Sequence, residues 1–256
     1  MDYVSKLLRE GIQTKIVGSH IQYYETIGST MDEVHVLARN GWSEGLVIVA
    51  DNQLLGRGRK GTSWISEPGN LLLSILLKPD VKHLEVLQPM TAICVQKAVR
   101  AITDIDMNLK WPNDLIVRQT KVGGILLESS VKNDCLEYVV IGIGVNLMLS
   151  KKPHNPNYIV SDLSEFGAKT LDRSSLLREI LSNLDSYYSK IDKPVEIFEE
   201  WKDQLDIIGQ FVRFKSGEDV HKGEVISVGD NGSLGLRVAN GGIMNFTTGD
   251  IIEVYE

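Results

Sequence analysis

Two apolar runs, Leu46-Val47-Ile48-Val49-Ala50 and Leu71-Leu72-Leu73-Ser74-Ile75-Leu76-Leu77, flank a stretch, 51–69, with no apolar periodicity. This arrangement constrains the fold more than any other feature. Each run reads as a strand buried on both faces. The segment between them contains Gly56-Arg57-Gly58-Arg59-Lys60-Gly61, a match to G-x-G-x-x-G. A dinucleotide-binding unit needs a helix directly after that loop and an acid about 20 residues on. Here Pro68 and Gly69 follow and the next element is a strand, so a doubly wound parallel sheet is excluded. The loop residues argue the same way: pyrophosphate needs bare backbone at close range, whereas three cations project from this loop. A kinase glycine-rich loop carries valine two positions after its last glycine, where this chain has Ser63. A loop this long inside a domain reads as functional. Arginine makes bidentate contacts with carboxylate and phosphate oxygens. Arg57, Arg59 and Lys60 on a glycine-loosened backbone therefore predict a cationic flap that closes on an anionic ligand.

The other elements follow from periodicity. Residues 4–9 suit one short helix, and Ile21 to Glu25 a strand. Thr30-Met31-Asp32-Glu33 has the form of a capping box, opening a helix that carries Met31, Val34, Leu37 and Ala38 and stops at Gly41. A helix is predicted over Leu87 to Ile102, then strands at 107–110, 115–118, 122–128 and 138–145. A second helical stripe covers 174–191, and Pro194 opens another helix with Ile197, Phe198, Trp201 and Leu205. After Gly209 the texture changes to short β-rich pieces between turn signals at 216–219, 230–232, 240–242 and 249–250. That pattern implies about five strands in a small closed barrel. The expected division is therefore 1–208 and 209–256.

Composition excludes several classes. With 43% hydrophobic and 24% charged residues, the 256-residue chain has enough apolar side chain to fold. Its net charge of −7, and −3 over 207–256, is not the basic footprint of a general nucleic-acid or membrane binder. No apolar run approaches the ~20 residues of a membrane span, and no secretory signal is visible. The five histidines have no metal-site spacing, so no protein-held zinc is expected. Cys94 and Cys135 sit in apolar patterns and read as two buried free thiols of a cytoplasmic protein.

Three strand ends are polar in an unusual way. Lys110-Trp111-Pro112-Asn113-Asp114 places a lysine, an amide and a carboxylate at one turn, where proline restricts itself and the residue before it. Lys121-Val122-Gly123-Gly124-Ile125-Leu126 opens an apolar strand with a lysine and two glycines, which admit another group close to the backbone. Gly142-Ile143-Gly144-Val145-Asn146 ends the next strand similarly.

The ordered set Gly28-Ser29-Thr30, Gln53 with GRGRKG at 56–61, Trp64, KWPND at 110–114, KVGGILLE at 121–128 and GIGVN at 142–146 resembles the biotin–protein ligases. The resemblance covers residues 21–150 with a compatible C-terminal barrel. It implies an α+β fold: a mixed sheet with helices packed on one side, like the class II synthetases, plus a small SH3-like barrel. It also implies a two-step reaction. Biotin carboxylate attacks the α-phosphorus of ATP, with Mg²⁺, to give biotinyl-5'-AMP and pyrophosphate. A lysine of a biotin carboxyl carrier protein then takes the acyl group and AMP leaves. By resemblance, Lys121 contacts the biotin carboxylate and the α-phosphate, and Arg57 and Arg59 close over both anions. Ser29, Thr30 and Gln53 hydrogen-bond the ureido ring, with Met31 and Gly58 beside them. Gly123 and Gly124 line the biotin tail. Trp64, Lys110, Asn113 and Asn146 serve the nucleotide, and Asp114 orients or deprotonates the incoming amine. Many relatives have asparagine where this chain has Met31, which removes a side-chain hydrogen bond there.

Two alternatives have discriminating features. A DNA-binding regulator needs a helix-turn-helix, and about 20 residues with one short helix precede the first strand. Lipoate-attaching enzymes resemble this fold but lack the complete GRGRxG and KWPND pair. The expectation is therefore a single-function ligase, homodimeric by resemblance, with no nucleic-acid or membrane partner.

Overall fold

The computed structural model describes residues 11–150, 159–168, 171–205 and 207–255. The short helix expected at 4–9 lies outside them. A seven-stranded sheet forms the larger part, in the order β1-β2-β3-β7-β6-β5-β4. Its strands are β1 (His20–Ile27), β2 (Leu46–Gln53), β3 (Leu71–Leu77), β4 (Asn108–Lys110), β5 (Asp114–Val117), β6 (Thr120–Lys132) and β7 (Cys135–Val145). β1 and β2 are parallel and the other neighbours antiparallel, so the sheet is mixed.

Side chains alternate across the sheet. Val47, Val49, Leu71, Leu73, Ile75, Ile141 and Ile143 face a large core with α2 (Leu87–Thr103) and α3 (Arg173–Tyr188). α4 (Pro194–Asp203) packs on α2. Leu46, Ile48, Leu76 and Val140 face the other way, beneath Met31, Val34 and Ala38 of α1 (Thr30–Arg39). Helices thus cover both faces, not one. β2 and β3 are apolar on both sides, and the second side would face water without α1.

The cap of α1 is shifted by one residue from the expected box. Ser29 is the N-cap, extended at φ −154° and ψ 134°, and its Oγ accepts from Asp32 N at 3.4 Å. Thr30 is the first helical residue, and its hydroxyl is released from capping. The two cysteines also differ from expectation: Cys94 is buried in α2, whereas Cys135 is exposed at the β6–β7 turn, where burial is incomplete.

A five-stranded antiparallel sheet follows α4, in the order β11-β10-β9-β8-β12. It comprises β8 (Phe211–Ser216), β9 (Asp219–Val228), β10 (Leu234–Val238), β11 (Ile243–Phe246) and β12 (Asp250–Tyr255). Val212, Phe214, Val225, Leu234, Leu236 and Ile251 fill its inner side. Among the described residues no ladder joins β11 to β12, so the sheet curls without closing. Trp111 joins the two sheets: it is 2% exposed, its Nε1 donates to Gly232 O at 2.9 Å, and its ring lies 5.7 Å from that of Phe214.

Candidate active site

A cavity of about 490 Å³ lies on the α1 face of the large sheet, beyond the N-terminus of α1. The ladders explain its floor. One row runs Leu72–Gly144–Gly124–Asp114–Lys110 across β3, β7, β6, β5 and β4, and a second runs Ser74–Gly142–Leu126. Glycine at 124, 142 and 144 contributes no side chains of its own to the floor, so other side chains can approach the strand backbone. A methyl group at Gly144 would lie 2.5 Å from Trp64 Cζ2, and one at Gly142 would lie 2.7 Å from Met31 Sδ. Trp64 and Met31 therefore rest directly on the strands. Gly123 points the other way: a methyl there would meet Leu115 Cδ1 at 2.8 Å, in the core. Only Gly124 of the pair lines the cavity.

Lys121 reaches the same face through a β-bulge. β5 and β6 pair Leu115 with Gly123 but Ile116 with Lys121, so Val122 is the extra residue. Simple alternation from Gly124 would send Lys121 to the core, and the bulge re-aims it. Its Nζ lies 2.5 Å from Asp114 Oδ1 and 5.6 Å from the centre of the Trp64 ring. Residues 159–161 run beside it, with Ile159 O accepting from Lys121 N at 2.9 Å. Lys110 stands next to this pair. Burial lowers its pKa, with Lys121 adding to the shift and Asp114 opposing it. The turn carrying both lysine neighbours is pinned by Asn113, whose Nδ2 donates to Ile125 O at 2.8 Å.

At the other end, Gln53 Oε1 accepts from Thr30 N at 2.8 Å and from Thr30 Oγ1 at 2.9 Å. Thr30 Oγ1 also lies 2.7 Å from Ser74 Oγ. The hydroxyl freed from the cap thus helps build a polar corner. The single serine of the apolar run at 71–77 was the signal that Ser74 belongs here.

The flap forms the roof. It folds back on itself through Gly58 N to Thr62 O at 2.7 Å and Trp64 N to Gly56 O at 2.9 Å. Arg57 makes a fork on Glu128, with Nε to Oε1 and Nη2 to Oε2 both 2.8 Å, and its Nη1 reaches Asp32 Oδ1 at 2.6 Å. The hydrogen bond from Arg57 to Glu128 raises the Arg57 pKa and lowers that of Glu128. Arg59 is held from the other side, by Asp250 Oδ1 at 3.1 Å, Gly249 O at 3.0 Å and Asn113 Oδ1 at 3.2 Å; Lys60 also pairs with Asp250. Among the described residues, Trp64 Nε1 is buried with no hydrogen-bond partner, a donor left over inside the site.

Of the residues expected from sequence, Ser29, Thr30, Met31, Gln53, Arg57, Gly58, Arg59, Trp64, Lys110, Asn113, Asp114, Lys121 and Gly124 surround this one volume. Gly123 and Asn146 do not. Asn146 is buried, its Nδ2 donates to Ser161 O at 3.0 Å, and it fastens the 159–161 segment. Sequence reasoning assigned no role to Asp32, Ser74, Glu128 or Asp250. Glu128 was visible as the end of a motif, while Asp250 had no local signal.

Residues 23–146 match the biotin/lipoate A/B protein ligase family. The bifunctional ligase/repressor BirA of Bacillus spizizenii is 30% identical over 91% of this chain and 74% of its own length. This chain belongs to the biotin–protein ligase family. The human biotin–protein ligase is 28% identical over 93% of this chain and 35% of its own length. The biotin protein ligase of Aquifex aeolicus, solved in complex with biotin and ATP, superposes with a TM-score of 0.74 at 27% identity, over 90% of this chain and 97% of that one. The family's fold accounts for the mixed sheet and the second antiparallel sheet together.

Proposed function

We propose that this protein is an ATP-dependent biotin–protein ligase, which makes biotinyl-5'-AMP and passes the biotinyl group to a lysine of a biotin carboxyl carrier protein. The observation that carries the reading is the single row Gly144–Gly124–Asp114–Lys110, with Lys121 aimed onto it by the bulge and a cationic flap above. The glycine strands beneath Trp64 and Met31 suit a slender apolar tail, and the Thr30–Gln53–Ser74 corner suits a neutral ureido group.

In the first step a biotin carboxylate oxygen bonds to the α-phosphorus, and the bond to the bridging oxygen breaks as pyrophosphate leaves. Two anions must approach, so fixed cations have to offset their repulsion. Lys121 bridges carboxylate and α-phosphate, with Lys110 and Arg59 toward the leaving phosphates and Trp64 against the ligand. Mg²⁺ would come bound to ATP and would supply further positive charge against the phosphates. The cavity carboxylates Asp114 and Asp250 are already paired with cations, and among the described residues no cluster could build a protein cage for it. In the second step the carrier amine attacks the acyl carbon, AMP departs and the amine loses a proton. When Lys121 turns to the adenylate, Asp114 loses its partner and is positioned to orient the amine and accept that proton. The closed flap keeps water from the adenylate.

The catalytic part is proposed as 1–208, the C-terminal unit as 209–256, and the working form as a cytoplasmic homodimer without nucleic-acid or membrane partners; sedimentation checks the dimer. The deciding experiment is mass spectrometry of a carrier domain incubated with the protein, ATP, Mg²⁺ and biotin. One biotinyl group on the carrier lysine is expected, undiminished by excess lipoate. No transfer, or transfer of lipoate in competition, overturns the reading.

A further inference from the structure

Arg57 belongs to the flap, yet what fixes it lies elsewhere. Glu128 on β6 holds its guanidinium in a planar fork, and α1 holds Nη1 through Asp32 at 2.6 Å and Ser29 Oγ at 3.3 Å. A guanidinium carries five N–H groups. Among the described residues these contacts occupy all but one on Nη2. Two carboxylates also leave Arg57 with no net positive charge to offer an anion. What remains is a fixed donor in the cavity wall, suited to a neutral oxygen.

Glu128 is itself held. His35 on α1 places Nε2 2.9 Å from Glu128 Oε2, and Tyr138 OH lies 3.2 Å from His35 Nδ1. A neutral imidazole with its hydrogen on Nε2 satisfies both contacts: it donates to the carboxylate and accepts from the phenol. Glu128 and Tyr138 both project from the α1 face of the sheet, on neighbouring strands, so the chain Tyr138–His35–Glu128–Arg57 runs from beneath α1 to the cavity. Without it, Arg57 would have to give up side-chain freedom at the moment of ligand capture.

We propose that Glu128 is a positioning residue for biotin capture and that His35 is its support, together setting the Arg57 guanidinium for a neutral oxygen of the ligand. The proposal rests on the ligase reading above and adds two residues to it.

The test uses the full chain, with biotin and ATP varied separately and pyrophosphate release as the readout. Loss of one charge-assisted contact in Glu128→Gln should raise the KM for biotin about ten-fold. kcat and the KM for ATP should stay near the parent's. His35→Leu should raise the biotin KM less, by about three-fold, because it acts one bond further away. His35→Gln, whose amide nitrogen can occupy the place of Nε2, should restore the parent value. In an Arg57→Ala background, Glu128→Gln should add nothing. A parent enzyme that releases no pyrophosphate overturns the ligase reading itself. An active parent with unchanged biotin KM in Glu128→Gln, or an undiminished effect in the Arg57→Ala background, overturns this proposal alone. Thermal melting separates misfolding from either result, and should Glu128→Gln unfold, the two His35 variants carry the same test.

Discussion

Gly144→Ala is the sharpest perturbation of the cavity floor. The added methyl would lie 2.5 Å from Trp64 Cζ2, 2.6 Å from Cε2 and 2.9 Å from Nε1. Carbon atoms settle at about 3.5–4.0 Å, so the indole must retreat by roughly 1 Å. β7 cannot retreat instead, because Gly144 is paired on both sides, to Leu72 and Gly124. Overpacking of this kind costs about 1–3 kcal/mol. Trp64 sits on the flap, so the cost falls on flap closure and not on the core. kcat/KM for biotin should drop about ten- to hundred-fold, at 1.4 kcal/mol per decade, with little change in Tm. Gly123→Ala is the matched control: its methyl meets Gly144 O and Leu115 Cδ1, both at 2.8 Å, on the core side. That variant should lose several degrees of Tm, at about 2–4 °C per kcal/mol for a chain of this size, with smaller effects on biotin KM in the surviving folded fraction. Steady-state pyrophosphate release and calorimetry decide between them. Equal activity losses in the two variants, or a Gly144→Ala enzyme as fast as the parent, would refute the assignment of faces.

Lys121→Ala should abolish pyrophosphate release while the far-ultraviolet spectrum and Tm stay near the parent's; adenylate formed at the normal rate removes Lys121 from the first step. Arg59→Gly and Asp250→Asn each cut the same anchor between flap and β12, so both should let biotinyl-5'-AMP escape faster in a filter-retention assay, and an escape rate equal to the parent's counts against the flap. Glu128 has its pKa lowered, chiefly by the Arg57 hydrogen bond. A carboxylate of that kind stabilises the fold above its unfolded value, 4.5, and the contribution disappears as pH falls through the lower folded value. The Tm gap between parent and Glu128→Gln should therefore be present at pH 7 and shrink as pH falls below 4.5; a gap that persists undiminished in acid contradicts the ion pair.

Much of this was readable in the chain. The runs at 46–50 and 71–77 read as strands covered on both sides, and the loop between them read as a cationic flap, because its glycines and cations have no core to join. The motifs at 110–114 and 121–126 supplied side chains that the structure gathers around one cavity. What sequence could not supply was facing and distance. Alternation says that Gly123 and Gly124 point opposite ways, but not which one meets the cavity, and the bulge at Val122 reverses the count for Lys121. Asn146, given to the nucleotide by resemblance, lies outside the cavity lining, with its Nδ2 donating to Ser161 O. The cap fell on Ser29 because either hydroxyl suited the role, and the Thr30 hydroxyl was claimed by Gln53 and Ser74. Asp250 is 191 residues from Arg59, beyond any local pattern.

The Trp111 contact has a mechanical consequence. Its indole is plugged into the curled sheet through Gly232 O and Phe214, and the same tight turn bears Asn113 and Asp114. Any tilt of the C-terminal sheet must drag that turn with it, so a load placed on the far sheet would reach Asp114.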